Sequence, residues 1–135
     1  DDLKDCQSSA LITEDPYLIF ARIASYFEKS RDFEEGFHPS SIIEDTAEVP
    51  SNCSIQAGAY IGKGVKLGQS VFIGSNSVIS ANCSIDSHSW IDPGVIILSE
   101  SSIGNRAIIH SGVVIGADGF GFSEDEEQNC KVSKK

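Results

Sequence analysis

An aliphatic residue recurs at every sixth position over most of the chain. The series runs Ile43, Val49, Ile55, Ile61, Leu67, Ile73, Ile79, Ile85, Ile91, Ile97, Ile103, Ile109, Ile115, thirteen beats without an insertion. Two residues before each beat stands a mostly small side chain: Ser41, Ala47, Cys53, Ala59, Val65, Val71, Ser77, Cys83, Ser89, Val95, Ser101, Ala107, Val113. Residues two apart on a strand share a face, so each hexad supplies one small and one large inward side chain. Three residues after the beat Asn or Gly recurs, at Asn52, Gly58, Gly64, Asn76, Asn82, Gly94 and Gly112. Both tolerate the positive φ that a turn between short strands needs. The repeating unit is a short strand and a tight turn, and stacked units of this length build a parallel β-helix.

The segment ahead of the repeat reads differently. Ser9–Thr13 reads as a short strand. "EDPYLIFARIASYFEKS" reads as a helix, with Asp15 as N-cap and Pro16 at the first helical position. Phe20, Ile23, Ala24 and Phe27 follow the i, i+3, i+4, i+7 spacing of a buried stripe. Glu28–Ser40 is charged and irregular. The expected organisation is the strand–helix tail of a small α/β domain over residues 1–29, a linker over 30–40, the β-helix over 41–120, and an excursion loop with the chain truncated over 121–135.

Composition narrows the function classes. At 135 residues the chain holds one domain, or one and part of another. A net charge of −10 argues against nucleic acid as the main partner, because phosphate binding needs clustered Lys and Arg. No apolar run approaches the roughly 18 residues of a membrane span. The chain has no Met and begins Asp1-Asp2, so its ends read as cut points. Cys6, Cys53, Cys83 and Cys130 show no metal-binding spacing. Cys53 and Cys83 fall at inward positions of the repeat, which suggests reduced thiols and a cytoplasmic location.

"EDPYLIFARIASYF", "FHPSSII", the hexads and "IIHSGVVIGADGFGF" together resemble the UDP-3-O-acylglucosamine N-acyltransferase family of lipid A biosynthesis. The resemblance implies a uridine-binding domain joined to a left-handed parallel β-helix, an exception to the usual right-handed crossover. It implies three hexads per triangular coil and assembly as a homotrimer. The implied reaction moves a 3-hydroxyacyl group from acyl carrier protein to the 2-amino group of a UDP-3-O-acylglucosamine. A His takes the amine proton and backbone N–H groups steady the oxyanion, with no metal or cofactor. In the family the catalytic His lies in later coils, beyond the excursion after "DGFGF". The chain therefore reads as a fragment without a catalytic residue, inactive alone. An acidic chain also offers no obvious docking patch for an acidic carrier protein.

With three hexads per coil, residues 18 apart stack. One outer face then shows Ile42, Tyr60, Val78, Ile96 and Val114; a second shows Ser54, Phe72, Trp90 and Ile108; a third shows Glu48, Lys66, Ser84 and Ser102. Two apolar ladders fit a ring of neighbours such as a homotrimer. Alternatively one ladder docks the N-terminal segment.

The resemblance places Tyr17 and Asp15 in the segment that grips the uridine; an aromatic there can stack on uracil. Both also have a plain reading, Tyr17 as packing and Asp15 as cap. At the hexad after Ile115 both inward slots become Gly119 and Gly121. The expectation is that the chain leaves the helix there, with Phe120 and Phe122 pinning the root of the loop near the substrate cleft. His110 follows a beat at a corner, His88 lies at another corner and His38 in the linker, so no two are expected to share one. Cys53 and Cys83 fall on different faces, which disfavours a disulfide. Lys131 aligns loosely with a family lysine, or belongs to a solvated loop. The runner-up function is another hexapeptide acyltransferase, such as a UDP-sugar O-acyltransferase or N-acetyltransferase. A structural β-helix is more distant: Thr, which ice-binding faces favour, occurs only at 13 and 46. A γ-type carbonic anhydrase lacks the required His spacing.

Overall fold

The computed structural model describes residues 8–10, 12–27, 31–119, 122–124 and 129–131. The chain divides into two compact units, Asp1–Asp32 and Phe33–Lys135.

The second unit is a parallel β-solenoid of about four coils. Its strands are two residues long, and each pairs in parallel with the strand 18 residues away, as in Tyr60↔Val78 and Phe72↔Trp90. Three faces result. One stacks Gly36–Phe37, Ser54–Ile55, Phe72–Ile73, Trp90–Ile91 and Ile108–Ile109. The next stacks Ile42–Ile43, Tyr60–Ile61, Val78–Ile79, Ile96–Ile97 and Val114–Ile115. The third stacks Lys66–Leu67, Ser84–Ile85 and Ser102–Ile103, extended by a bridge from Glu48 to Lys66. On that polar face Lys66 Nζ lies 3.0 Å from Glu48 Oε1. Both side chains are exposed, so the pair is worth at most about 1 kcal/mol.

The beat is the core. Ile55, Ile61, Ile73, Ile79, Ile85, Ile91 and Ile97 are fully buried, with Val65, Val71 and Val95 from the small position. Four of the six polar or sulfur-bearing small positions reach a turn of the next coil. Ser77 Oγ donates to Asp92 O at 3.0 Å and accepts from Val95 N at 3.3 Å. Ser89 Oγ donates to Gly104 O at 2.9 Å and accepts from Ala107 N at 3.1 Å. Cys53 Sγ donates to Gly68 O at 3.2 Å. Cys83 Sγ donates to Leu98 O at 3.1 Å. Where the small residue is Ala or Val, the turn above can close directly, as in Ser77 N to Gly74 O at 3.3 Å above Ala59. The buried hydroxyls and thiols are thus satisfied.

The turns share one backbone device. Gly58, Gly64, Ser70, Asn76, Asn82, His88, Gly94, Glu100, Arg106 and Gly112 all have φ between 54° and 79°. From Asn76 to Arg106 the N–H of each of these residues reaches a carbonyl of the coil below, for example Asn76 N to Ala57 O at 3.0 Å and His88 N to Gln69 O at 2.9 Å. Asn and Gly were expected here; Ser70, His88, Glu100 and Arg106 were not. The coil-to-coil hydrogen bond holds the left-handed conformation against its intrinsic cost of roughly 1–2 kcal/mol per residue.

The solenoid begins earlier than the expected residue 41. Gly36–Phe37, expected in a linker, pairs with Ser54–Ile55, with Gly36 N to Cys53 O at 2.9 Å and His38 N to Ile55 O at 2.8 Å. Phe37 lies six residues before Ile43 and is one more beat. At the other end the last parallel strand is Val114–Ile115, and Gly116 (φ 84°) follows. Phe122–Glu124 and Asn129–Lys131 then pair antiparallel, with Phe122 opposite Lys131.

In the first unit, helix α1 (Pro16–Phe27) forms as expected. Its stripe does not become a core. No residue of α1 is buried, and Phe20 is 72% exposed. The expected strand at Ser9–Thr13 is likewise absent from the described residues 9, 10, 12 and 13. A two-stranded pairing needs a partner edge, and a lone helix offers none.

Candidate functional site

The start of α1 gathers two of the expected site residues. Asp15 Oδ1 accepts a hydrogen bond from Leu18 N at 2.9 Å, and Asp15 O accepts from Ile19 N at 3.2 Å. Asp15 is therefore the N-cap, with Pro16 at the first helical position. Tyr17, 88% exposed, stands one residue further on. Pro16, Tyr17 and Phe20 border a shallow, open hollow of about 320 Å³. Its walls offer aromatic and aliphatic surface, the chemistry that receives a planar base. Of the other two expected residues, Phe120 lies outside the described residues. Phe122 opens the hairpin strand Phe122–Glu124.

The two outer apolar faces have different fates. On the first, Phe72 and Trp90 stack with ring centroids 4.0 Å apart and planes 16° apart. Phe33 packs over both, at 5.8 Å and 6.0 Å. The chain's own residue ahead of the first strand thus covers Phe72 and Trp90, while Ile108 on the same face stays 50% exposed. The second face stays open, with Ile42 59% and Val114 52% exposed. Tyr60, on the same face, donates its hydroxyl to Glu44 Oε1 at 3.1 Å, and that hydrogen bond raises the phenol above its ordinary value.

The corner between these two faces carries a polar chain. Trp90 Nε1 donates to Asp92 Oδ1 at 2.8 Å, and Asp92 Oδ2 lies 2.9 Å from His110 Nδ1 in the coil above. The Asp92 side chain is 24% exposed and that of His110 72%. Asp92 is a site residue that the sequence reading passed over, although its 18-residue offset from His110 was a usable signal. His38 belongs to the same corner, four coils away from His110, because it follows the extra beat at Phe37. The expectation that no two His share a corner fails for that pair, yet four coils keep them about 19 Å apart. His38 Nδ1 bonds Ser40 Oγ at 2.9 Å. His88 borders an open polar notch with Asp86, Ser87 and Asn105 at a different corner.

Cys53 and Cys83 are free and buried, and burial pushes both thiols up. Among the described residues, no group of three or more His, Cys, Asp and Glu could hold a metal ion. No helix there is long and apolar enough to cross a membrane.

The family model described as "GMPPB C-terminal domain" matches residues 37–120. The chain is also similar to curated proteins named UDP-3-O-acylglucosamine N-acyltransferase. That of Polynucleobacter asymbioticus is 43% identical over 116 residues, 84% of this chain and 33% of the relative. That of Cupriavidus pinatubonensis is 44% identical over 116 residues, 85% of this chain and 32% of the relative. That of Coxiella burnetii (strain Dugway 5J108-111) is 43% identical over 128 residues, 90% of this chain and 36% of the relative. The chain spans about a third of the length of the curated relatives it matches.

Proposed function

The chain belongs to the family of the GMPPB C-terminal domain, and from that premise we propose that it forms part of a UDP-3-O-acylglucosamine N-acyltransferase. One observation carries the reading. The aligned stretches are longer than the 37–120 solenoid, so the likeness includes residues outside the hexads that many transferases share. In this reading residues 1–29 close a uridine-binding domain, and Tyr17 with Asp15 meets the uridine. The exposed tyrosine beside an apolar hollow supports that role. The solenoid winds left-handed and is the scaffold on which later coils place the catalytic His. The excursion after Ile115, with Phe120 and Phe122 at its root, borders the acceptor sugar.

The reaction in this reading is aminolysis of a thioester. The 2-amino group of the sugar attacks the acyl carbonyl carbon of acyl carrier protein, the C–N bond forms, the C–S bond breaks, and the amine proton passes to a base. The open ladder Ile42, Tyr60, Val78, Ile96 and Val114 supports a homotrimer in which that face meets a neighbour. The two unpaired thiols fit a reducing, cytoplasmic setting. The family model that matches the coils carries a different name from the curated relatives, and this favours a second reading. In that reading the chain serves another hexapeptide transferase.

A panel of UDP-sugars offered to the full-length protein with 3-hydroxyacyl carrier protein tests the choice. The reading expects turnover only with a 3-O-acylated UDP-glucosamine bearing a free amine. Turnover of an unacylated UDP-sugar instead would favour the second reading.

A further inference from the structure

We propose that Asp92 and His110 form a proton-accepting site at the solenoid corner. His110 Nε2 would receive the proton of a hydroxyl- or amine-bearing ligand, and Asp92 acts as its positioning residue.

The argument starts from Trp90. Its indole has one donor and no acceptor, and it points that donor at Asp92 Oδ1, 2.8 Å away. Trp90 is itself fixed by stacking on Phe72 and by Phe33. The carboxylate is thereby pinned in one orientation, which leaves Oδ2 facing His110 Nδ1 at 2.9 Å. A carboxylate is acceptor-only, so Nδ1 carries the proton. The lone pair then sits on Nε2, on a ring that is 72% exposed. Among the described residues Nε2 makes no hydrogen bond. A histidine kept only to staple two coils would need neither that exposure nor an indole fixing its partner. His38 offers a contrast: Ser40 N donates to its Nδ1 at 3.2 Å, the opposite polarity, which places the proton on Nε2.

The site makes a chemical prediction through diethyl pyrocarbonate, which acylates an imidazole nitrogen bearing a lone pair. Nε2 attacks a carbonyl carbon, a C–N bond forms and the C–O bond to ethyl carbonate breaks. The Nδ1 proton passes by way of Asp92 and solvent to the leaving ethyl carbonate, which yields carbon dioxide and ethanol. In Asp92→Asn the indole still claims the side-chain oxygen. The Asn amide then points N–H at Nδ1, so the ring must invert its tautomer and move the lone pair away from solvent.

The test uses the full-length protein. Long-range ¹H–¹⁵N spectra read each His tautomer, and peptide mass spectrometry reads each modification rate. We expect His110 in the Nδ1–H form and modified roughly three-fold or more faster than His38 and His88, which are exposed too. Asp92→Asn should bring His110 to the Nε2–H form and to the rate of the other two. If Asp92→Asn does not fold, the wild-type spectrum and rates decide alone. An Nε2–H tautomer in the wild type, or a His110 rate no greater than that of His88, would overturn the proposal. Neither readout depends on acyl transfer, so failure of the acyltransferase reading leaves this result intact, and the converse holds.

Discussion

Ser89 Oγ sits between Gly104 O and Ala107 N, donating to the first and accepting from the second across a coil boundary. The same bridge recurs at Ser77, and Cys53 and Cys83 make its donor half. The small inward position is therefore a coupling site between coils as well as a filler of volume.

Cys83→Ser should preserve that bridge, because serine makes it in both neighbouring hexads. We expect a change in unfolding free energy within about 1 kcal/mol. Cys83→Leu should lose the bridge and overfill the position, costing about 1–3 kcal/mol more. Urea titrations of the two variants check the difference.

The thiols give stability a pH dependence of known sign. Burial raises the Cys53 and Cys83 thiols in the folded chain, so their contribution is fully present below the unfolded value, near 9.0. Above it the unfolded chain loses these protons first, and stability falls as pH climbs toward the folded values. The double variant Cys53→Ser with Cys83→Ser should show a flatter decline above pH 9, measured by melts across the alkaline range.

Gly74 and Gly94 should respond oppositely to a side chain. A Cβ on Gly74 would meet Pro93 N and lie 2.7 Å from the Asp92 carbonyl carbon, in the backbone of the next coil. Gly74→Ala should cost about 1–3 kcal/mol. Gly94 has φ 72° but open space, and Asn76 and Asn82 already hold the same conformation. Gly94→Asn should fall within about 1 kcal/mol of wild type. Calorimetry of the pair distinguishes coil clearance from turn strain.

Glu100 occupies the same turn position at φ 65° without the local hydrogen-bonding side chain that eases it. Glu100→Asn should stabilise by about 0.5–1 kcal/mol. An unchanged or lowered melting temperature would show that the coil below already absorbs the strain.

The repeat was legible because its core alternates with period two inside a period of six, a pattern that only stacked short strands satisfy. The first beat, Phe37, was missed because its neighbours Glu34 and Glu35 are charged and it is an aromatic rather than an aliphatic residue. The left-handed turns at His88, Glu100 and Arg106 carry no propensity signal, since the conformation is imposed by the coil beneath. Asp15 as a cap was readable from its place before Pro16. The Asp92–His110 pair needed the stacking offset applied to corners as well as faces. The exposed stripe of α1 was not foreseeable from its spacing, which speaks of amphipathicity and not of what covers it.

The most direct measurement of the central claim is the bond formed by the full-length protein. UDP-3-O-acylglucosamine and 3-hydroxyacyl carrier protein are the substrates, and mass spectrometry follows mild alkaline hydrolysis. The account predicts that the sugar loses its original ester yet keeps one new acyl group, held as an amide. A product stripped of both acyl groups, or no transfer at all, would contradict it.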